Sequence, residues 1–340
     1  MKKIGLLTGG GDCPGLNAVI RAVVRKALKL GYEVLGIRGG WKGLMEKDVE
    51  FLNLDSVSGI LYKGGTILGT SRMNPLNYEG GAQKIADNVK ELGLSALIVV
   101  GGGNTLSVAK VLFDKGVPLI GIPKTIENDL MTTDYTFGFD TAVSIVTEAI
   151  DRLHTTAESH NRVMVVEVMG YSAGWIATVA GIAGGADCIL IPEIPFDIDE
   201  VCRLIRNRHK RGKNFSIIVV AEGAKPKDNE KILTKPAGCG DVRMGSIGNI
   251  LSEEIEKRTG FETRVTVLGY IQRGGSPTAF DRVLATRFGV KAVELVEAGV
   301  YGKMVSLQGN QVSYVDLSES LSTSKPVDVE LYKIAEVFFG

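Results

Sequence analysis

KIGLLTGGGDCPGLNAVIRAVVRKALKL, residues 3–30, runs strand, loop and helix signals together without a break. Lys3–Thr8 (KIGLLT) reads as a buried parallel strand, because its apolar run is continuous rather than alternating. Val19, Ile20, Val23, Val24 and Ala27 then recur at three- and four-residue spacing, so a helix from about Leu16 to Leu30 has one apolar face. Between them Gly9–Gly15 (GGGDCPG) turns the chain where the strand ends. Strand, glycine loop and helix in that order form the building unit of a parallel α/β sheet.

The same alternation continues along the chain. Ala96–Val100 (ALIVV), Pro118–Ile122 (PLIGI), Val163–Val168 (VMVVEV), Ile189–Ile191 and Ser216–Val220 (SIIVV) read as further strands. Helices are expected at about Thr105–Asp114, Ala142–Thr155, Trp175–Ile182, Ile198–Lys210, Ser246–Arg258 and Ala279–Ala298, the last closed by Gly299. The polar stretch Lys225–Gly245 reads as an excursion near the surface. No internal repeat or low-complexity tract interrupts this order.

Composition narrows the function. The 340 residues suit two packed domains. Lys+Arg and Asp+Glu both number 39, so no basic excess points to nucleic acid or anionic lipid. No apolar run reaches the roughly 20 residues of a membrane helix. The start, MKKIGLLTGGGDCPG, has too short an apolar stretch for a secretory leader, and Cys13, Cys188, Cys202 and Cys239 form no CxxC pair. A cytoplasmic protein with reduced thiols is expected. Glycine is in excess, with 43 residues against roughly 24 at the usual frequency of about 7%.

Those glycines cluster where ligands bind in parallel sheets. Gly9–Gly15, Gly101–Thr105 (GGGNT) and Pro123–Asp129 (PKTIEND) each follow an expected strand. Main-chain N–H groups in such loops can approach phosphate oxygens, helped by the dipole of the following helix. Neither GxxxxGKS nor GxxxxGKT occurs, and Pro14 breaks any GxGxxG pattern. The third loop brings Lys124, Thr125, Glu127 and Asp129 within six residues. Phosphoryl transfer needs charge neutralisation, a metal anchor and a proton acceptor, all of which these residues could supply. A solvated charged turn would have the same composition. Arg72, Arg162, Arg264 and Arg273 lie near strand ends and suit phosphate recognition. His154, His160 and His209 read as surface or loop side chains, and Trp175 as core.

LTGGGDCPGLNA, GGTILGTSR, GGGNT, PKTIEND, TDYTFGFDTA, VVEVMG and ETRVTVLGYIQRGGSP together resemble the ATP- and pyrophosphate-dependent 6-phosphofructokinases over nearly the whole chain. The resemblance implies two similar three-layer α/β domains with mainly parallel sheets and the active site in the cleft between them. It puts a phosphoryl-donor domain at residues 1–138 plus about 272–322, and a sugar-phosphate domain at 139–271 plus about 323–340. The implied reaction moves a phosphoryl group from pyrophosphate or ATP to the O1 hydroxyl of fructose 6-phosphate, with Mg2+ as cofactor, in glycolysis.

Carried over by position, Gly11, Arg72, Gly102, Gly103, Asn104 and Thr105 belong to the donor site, with Trp41 bordering it. Thr125, Met169, Gly170, Tyr171 and Glu222 hold the sugar, and Glu127 takes the proton acceptor's place. Arg162, Arg264, Tyr270 and Arg273 correspond to the 6-phosphate site, the first two reaching in from a neighbouring subunit. A homo-oligomer, dimer or tetramer, follows from the resemblance. Lys124 matches the pyrophosphate-dependent pattern, and the bulk of Asn104 obstructs the α-phosphate of ATP, so pyrophosphate is the favoured donor. This chain departs from the family at four further positions. Gly103 replaces an acidic magnesium ligand, leaving Asp129 for the metal; Glu127 replaces aspartate; Tyr171 replaces arginine and Tyr270 histidine. These departures leave a silent sugar-phosphate binder, or an ATP-dependent kinase of a related sugar phosphate, as alternatives. Arg21, Arg25 and Lys213 match a nucleotide effector site of the family's bacterial ATP enzymes, but Leu54 replaces an arginine there. Arg21 and Arg25, as an i,i+4 helix pair, equally read as solvated surface charges.

Overall fold

Continuous Val/Ile runs become strands buried on both faces. The computed structural model describes residues 2–227 and 246–340. Among them lie strands β1 (Lys3–Thr8), β2 (Glu33–Ile37), β3 (Val49–Leu52), β4 (Leu94–Gly101), β5 (Leu119–Pro123), β6 (Val163–Val168), β7 (Cys188–Leu190), β8 (Ser216–Ala221), β9 (Thr263–Val267), β10 (Lys303–Gln308) and β11 (Gln311–Asp316). The chain divides into two compact units, Met1–Thr141 with Arg273–Ser324, and Ala142–Gln272 with Lys325–Gly340.

The first unit holds a seven-stranded sheet in the order β11-β10-β5-β4-β1-β2-β3. Its inner pairings are parallel, and both edge strands run antiparallel. Leu97 and Val99 of β4 pack with Ile85, Val89, Leu106 and Leu112 from helices Gly81–Glu91 and Gly103–Asp114. Ile98 and Val100 point to the other face and are equally buried. That face carries helices Leu16–Lys29 and Ala279–Glu297, which pack on each other. Gly289 makes their close approach possible: a Cβ there would sit 2.8 Å from that of Ala22. The returning segment Arg273–Ser324 is thereby built into the first unit.

The second unit holds four parallel strands in the order β7-β8-β6-β9. Val163, Val165, Ile218 and Val220 pack with Val201, Ile205 and Leu251 from helices Ile198–Lys210 and Ile247–Thr259. Both units are therefore α/β layers on mainly parallel sheets, as expected, but the sheets differ in size.

Several local readings change. The chain forms a β10–β11 hairpin turned by Gly309-Asn310, which the sequence reading leaves out. The fifth major helix spans Phe139–His160 rather than starting at Ala142. His154 and His209 are helical and packed: His154 Nε2 lies 2.7 Å from Gly184 O, and the His209 ring stacks on Phe261 at 3.7 Å. Trp175 is only half-buried; its Nε1 donates to Lys325 O at 3.0 Å, with the Lys325 ammonium over the ring. Cys13, Cys188 and Cys202 are buried free thiols. Cys239 and most of the Lys225–Gly245 excursion lie outside the described residues.

Candidate active site

Three loops at the carboxyl ends of β1, β4 and β5 form the first unit's site. The β1 loop is tied down by its backbone: Gly9 N donates to Val100 O at 2.9 Å and Gly10 N to Ser71 O at 3.4 Å. Gly10 has φ 78°, and Gly15, with φ 104°, lies against the buried Phe137 ring. After β4, Gly102 leads into helix Gly103–Asp114, so the amides of 103–105 sit in its first turn with their donors unspent. The Thr105 side chain wedges between the loops; a Cβ at Gly9 would lie 2.6 Å from its Cγ2.

The β5 loop contributes charge. Lys124 is 3% exposed, and its Nζ donates to Gly11 O beneath the first loop. Burial lowers its pKa and Arg273 adds to this, against Cys13, Asp12 and Asp129. Burial also pushes the Cys13 thiol up to about 12, so Cys13 stays protonated. Beyond Lys124, Glu127 N donates to Thr125 Oγ1 at 3.0 Å. Asn128 adopts the left-handed region, φ 51°, and is stitched in place: Thr136 N donates to its Oδ1 at 3.0 Å and its Nδ2 donates to Asp134 O at 3.2 Å. The half-buried Glu127 and Asp129 flank this fixed residue.

A cavity of about 320 Å³ opens beside these loops, lined by Gly10, Gly11, Trp41, Arg72, Asn104 and Arg273 among others. Asn104 is exposed, on the helix's first turn. Arg273 Nη1 donates to Asp12 O at 3.3 Å, and its guanidinium lies so close to Gly11 that a Cβ there would collide with it. Trp41 is buried, with Nε1 unpartnered among the described residues.

The second unit has its own loop cluster. Met169, Gly170 and Tyr171 follow β6, Glu222 follows β8, and Tyr270 follows β9. Gly170 has φ 144° and its O accepts from Gly223 N at 3.1 Å. Buried Gln272 braces the cluster, accepting from Met169 N at 3.2 Å and donating to Gly269 O at 3.0 Å. Tyr171 and Tyr270 are 76% and 71% exposed.

Arg162 and Arg264 stand elsewhere. Arg162 precedes β6 and Arg264 is the second residue of β9, opposite Met164. Both therefore lie at the amino edge of the sheet whose carboxyl edge bears Met169, Gly170 and Glu222. The six residues of β6 separate these edges by about 20 Å, at about 3.3 Å per residue.

A family model described as phosphofructokinase matches residues 3–296. The chain belongs to the phosphofructokinase family. It is 56% identical to a pyrophosphate–fructose 6-phosphate 1-phosphotransferase of Streptomyces coelicolor, over 99% of this chain and 100% of that one. It is 52% identical to ATP-dependent 6-phosphofructokinase 3 of the same organism, over 98% and 99%. Among solved structures, Saccharomyces cerevisiae phosphofructokinase superposes with a TM-score of 0.83 at 31% identity; the match covers 99% of this chain and 47% of the yeast chain.

Within this phosphofructokinase fold, Lys124, Thr125, Glu127 and Asp129 share one loop, beside Gly11, Gly102, Gly103, Asn104, Thr105 and Arg72 in the first unit. Arg273, expected at the 6-phosphate, also packs on the first loop. Met169, Gly170, Tyr171, Glu222 and Tyr270 gather in the second unit, without Arg162 and Arg264. Sequence reasoning missed Asn128, Thr136 and Gln272. The signal for the first was an asparagine between two acids in PKTIEND, since asparagine tolerates left-handed backbone. Gln272 gave no comparable signal.

Proposed function

We propose that this chain transfers a phosphoryl group from pyrophosphate to the O1 hydroxyl of fructose 6-phosphate. The observation that carries this reading is Lys124, an ammonium buried under the glycine loop and bonded to Gly11 O. A solvated turn would leave it in water. At that place its charge stabilises the departing phosphate, while Arg72 and the amides of 103–105 hold the donor's oxygens. Exposed Asn104 takes up space a nucleotide's α-phosphate would need. Glu127 accepts the proton of the O1 hydroxyl. Thr125, Met169, Gly170, Tyr171 and Glu222 hold the sugar. The first unit is the donor domain and the second the sugar-phosphate domain.

Mg2+ fits the residues present. No group of three or more His, Cys, Asp or Glu side chains able to hold an ion occurs among the described residues. Mg2+ needs only one or two carboxylates when substrate phosphates supply the remaining oxygens. Asp129 supplies the carboxylate, and the space around Gly103, where a Cβ would meet only Leu130 at 3.8 Å, leaves room for hydrated phosphate. Bound there, the ion would neutralise phosphate charge.

The distance between the arginines and the sugar loops supports a homo-oligomer, dimer or tetramer. No single fructose 6-phosphate spans about 20 Å, the length of a six-residue strand, so Arg162 and Arg264 serve the sugar site of a second copy. No described helix is long and apolar enough to cross a membrane, in keeping with a cytoplasmic enzyme of glycolysis. A coupled assay for fructose 1,6-bisphosphate, run with Mg2+ and each donor, tests the reading. Faster turnover with pyrophosphate than ATP is expected; the reverse overturns the donor assignment. Turnover with neither would leave a sugar-phosphate binder.

A further inference from the structure

One carboxylate holds both arginines at the amino edge of the second sheet. Glu262 Oε1 lies 2.8 Å from Arg162 Nη2 and also accepts from Arg264 Nη2. Local geometry enforces the sharing. Val163 N donates to Glu262 O at 3.0 Å, which sets Arg162 beside Glu262, and the two-residue spacing of Glu262 and Arg264 puts them on one face. Arg264 is held further by Thr263 O, 2.9 Å from Nη1, and by Glu256 at 3.8 Å. The Arg162 hydrogen bond, working against partial desolvation and aided by Arg264 and His160, keeps the Glu262 carboxyl below its ordinary pKa.

We propose that Glu262 acts through Arg162 and Arg264 as a built-in competing anion that an incoming phosphate must displace. This rests on the reading that the two arginines bind the 6-phosphate. A carboxylate carries one charge on two oxygens, whereas a phosphate monoester carries up to two charges on three oxygens. The exposed Glu262 pairs are weak enough to yield to that dianion. Weaker anions gain little by displacing it. Glu262 thus sets the threshold that separates a sugar phosphate from other anions.

The test is steady-state kinetics on the full-length protein with Glu262→Gln, which keeps the size and removes the charge. KM for fructose 6-phosphate is expected to fall about three- to five-fold, the affinity equivalent of an exposed ion pair. Inhibition by inorganic sulfate tightens by at least the same factor, while kcat stays within about twofold. An unchanged or raised KM overturns the proposal. Should Glu262→Gln fail to fold, Glu262→Asp decides, because it withdraws the carboxylate by one methylene: KM falls by a smaller factor, and an unchanged or raised KM again overturns the idea. Arg162→Ala run alongside separates the two claims. If it leaves KM unchanged, the phosphate-site reading fails; if it raises KM while Glu262→Gln does not lower it, only the role of Glu262 fails.

Discussion

The two units present their candidate groups in opposite ways. In the first, the decisive charge is buried, the glycine loop above it is pinned by backbone hydrogen bonds, and Asn128 is locked between two acids. In the second, Tyr171 and Tyr270 stand mostly in solvent, and the arginines occupy the far edge of the sheet, paired with a local carboxylate. The first arrangement suits charge that develops during the proposed reaction, where fixed dipoles and a desolvated ammonium act most strongly. On the proposed function, the second is a binding surface that ligand and another copy would complete. Substitutions in the first should therefore change turnover or donor choice, and those in the second should change sugar affinity.

Glu127 is expected to show the largest effect. Glu127→Gln removes the proposed proton acceptor and should lower kcat by about 10²- to 10⁴-fold, with fructose 6-phosphate binding nearly intact by calorimetry. Glu127→Asp retracts the carboxylate by one methylene. If glutamate sits about 1 Å from the best position, turnover should rise by roughly one to two orders of magnitude. A fall would mean that the stitched loop around Asn128 is fitted to glutamate.

Donor choice should move next. Asn104→Gly clears space on the first helical turn, and relief of overpacking of about 1–3 kcal/mol should raise the ATP-to-pyrophosphate ratio of kcat/KM roughly five- to a hundred-fold. An unchanged ratio in a folded variant removes the steric account.

The smallest effect concerns stability. The folded pKa of Lys124 lies below its ordinary value of 10.5, so the folded chain binds fewer protons than the unfolded chain between those values. Its burial therefore destabilises at neutral pH, and this cost fades as pH rises toward 10.5. Lys124→Met leaves Gly11 O without its donor at every pH, so the trend carries the prediction. The variant's Tm relative to the parent should be highest near pH 7 and decline on going to pH 10. A difference that stays flat would place Lys124 in water.

Much of the fold was legible in the sequence. β1, β6 and helix Ile198–Lys210 fall where their apolar patterns end, because buried parallel strands and one-faced helices leave clear marks. The edge strands were harder. VEFL is short and half-exposed, and KMVSLQ and QVSYVD reveal themselves only through the Gly309-Asn310 turn. The residues of the β5 loop could be named from sequence, but not the burial of Lys124, which depends on a carbonyl 113 positions away. Nor could periodicity show that Arg162 and Arg264 share an edge, since β6 and β9 pair across about a hundred residues of chain.

The central claim is that one copy's arginines complete another copy's site. Glu127→Gln and Arg162→Ala, each nearly inactive at limiting fructose 6-phosphate, should be co-expressed with different tags and the mixed oligomer purified. If the site is shared, each mixed pair contains one site with Glu127 from one chain and Arg162 from the other. Purified mixed dimers should then recover about half of parental activity, since each holds one intact site of two. Activity no greater than the sum of the two separate variants would contradict the claim, placing both residues in a single copy's site.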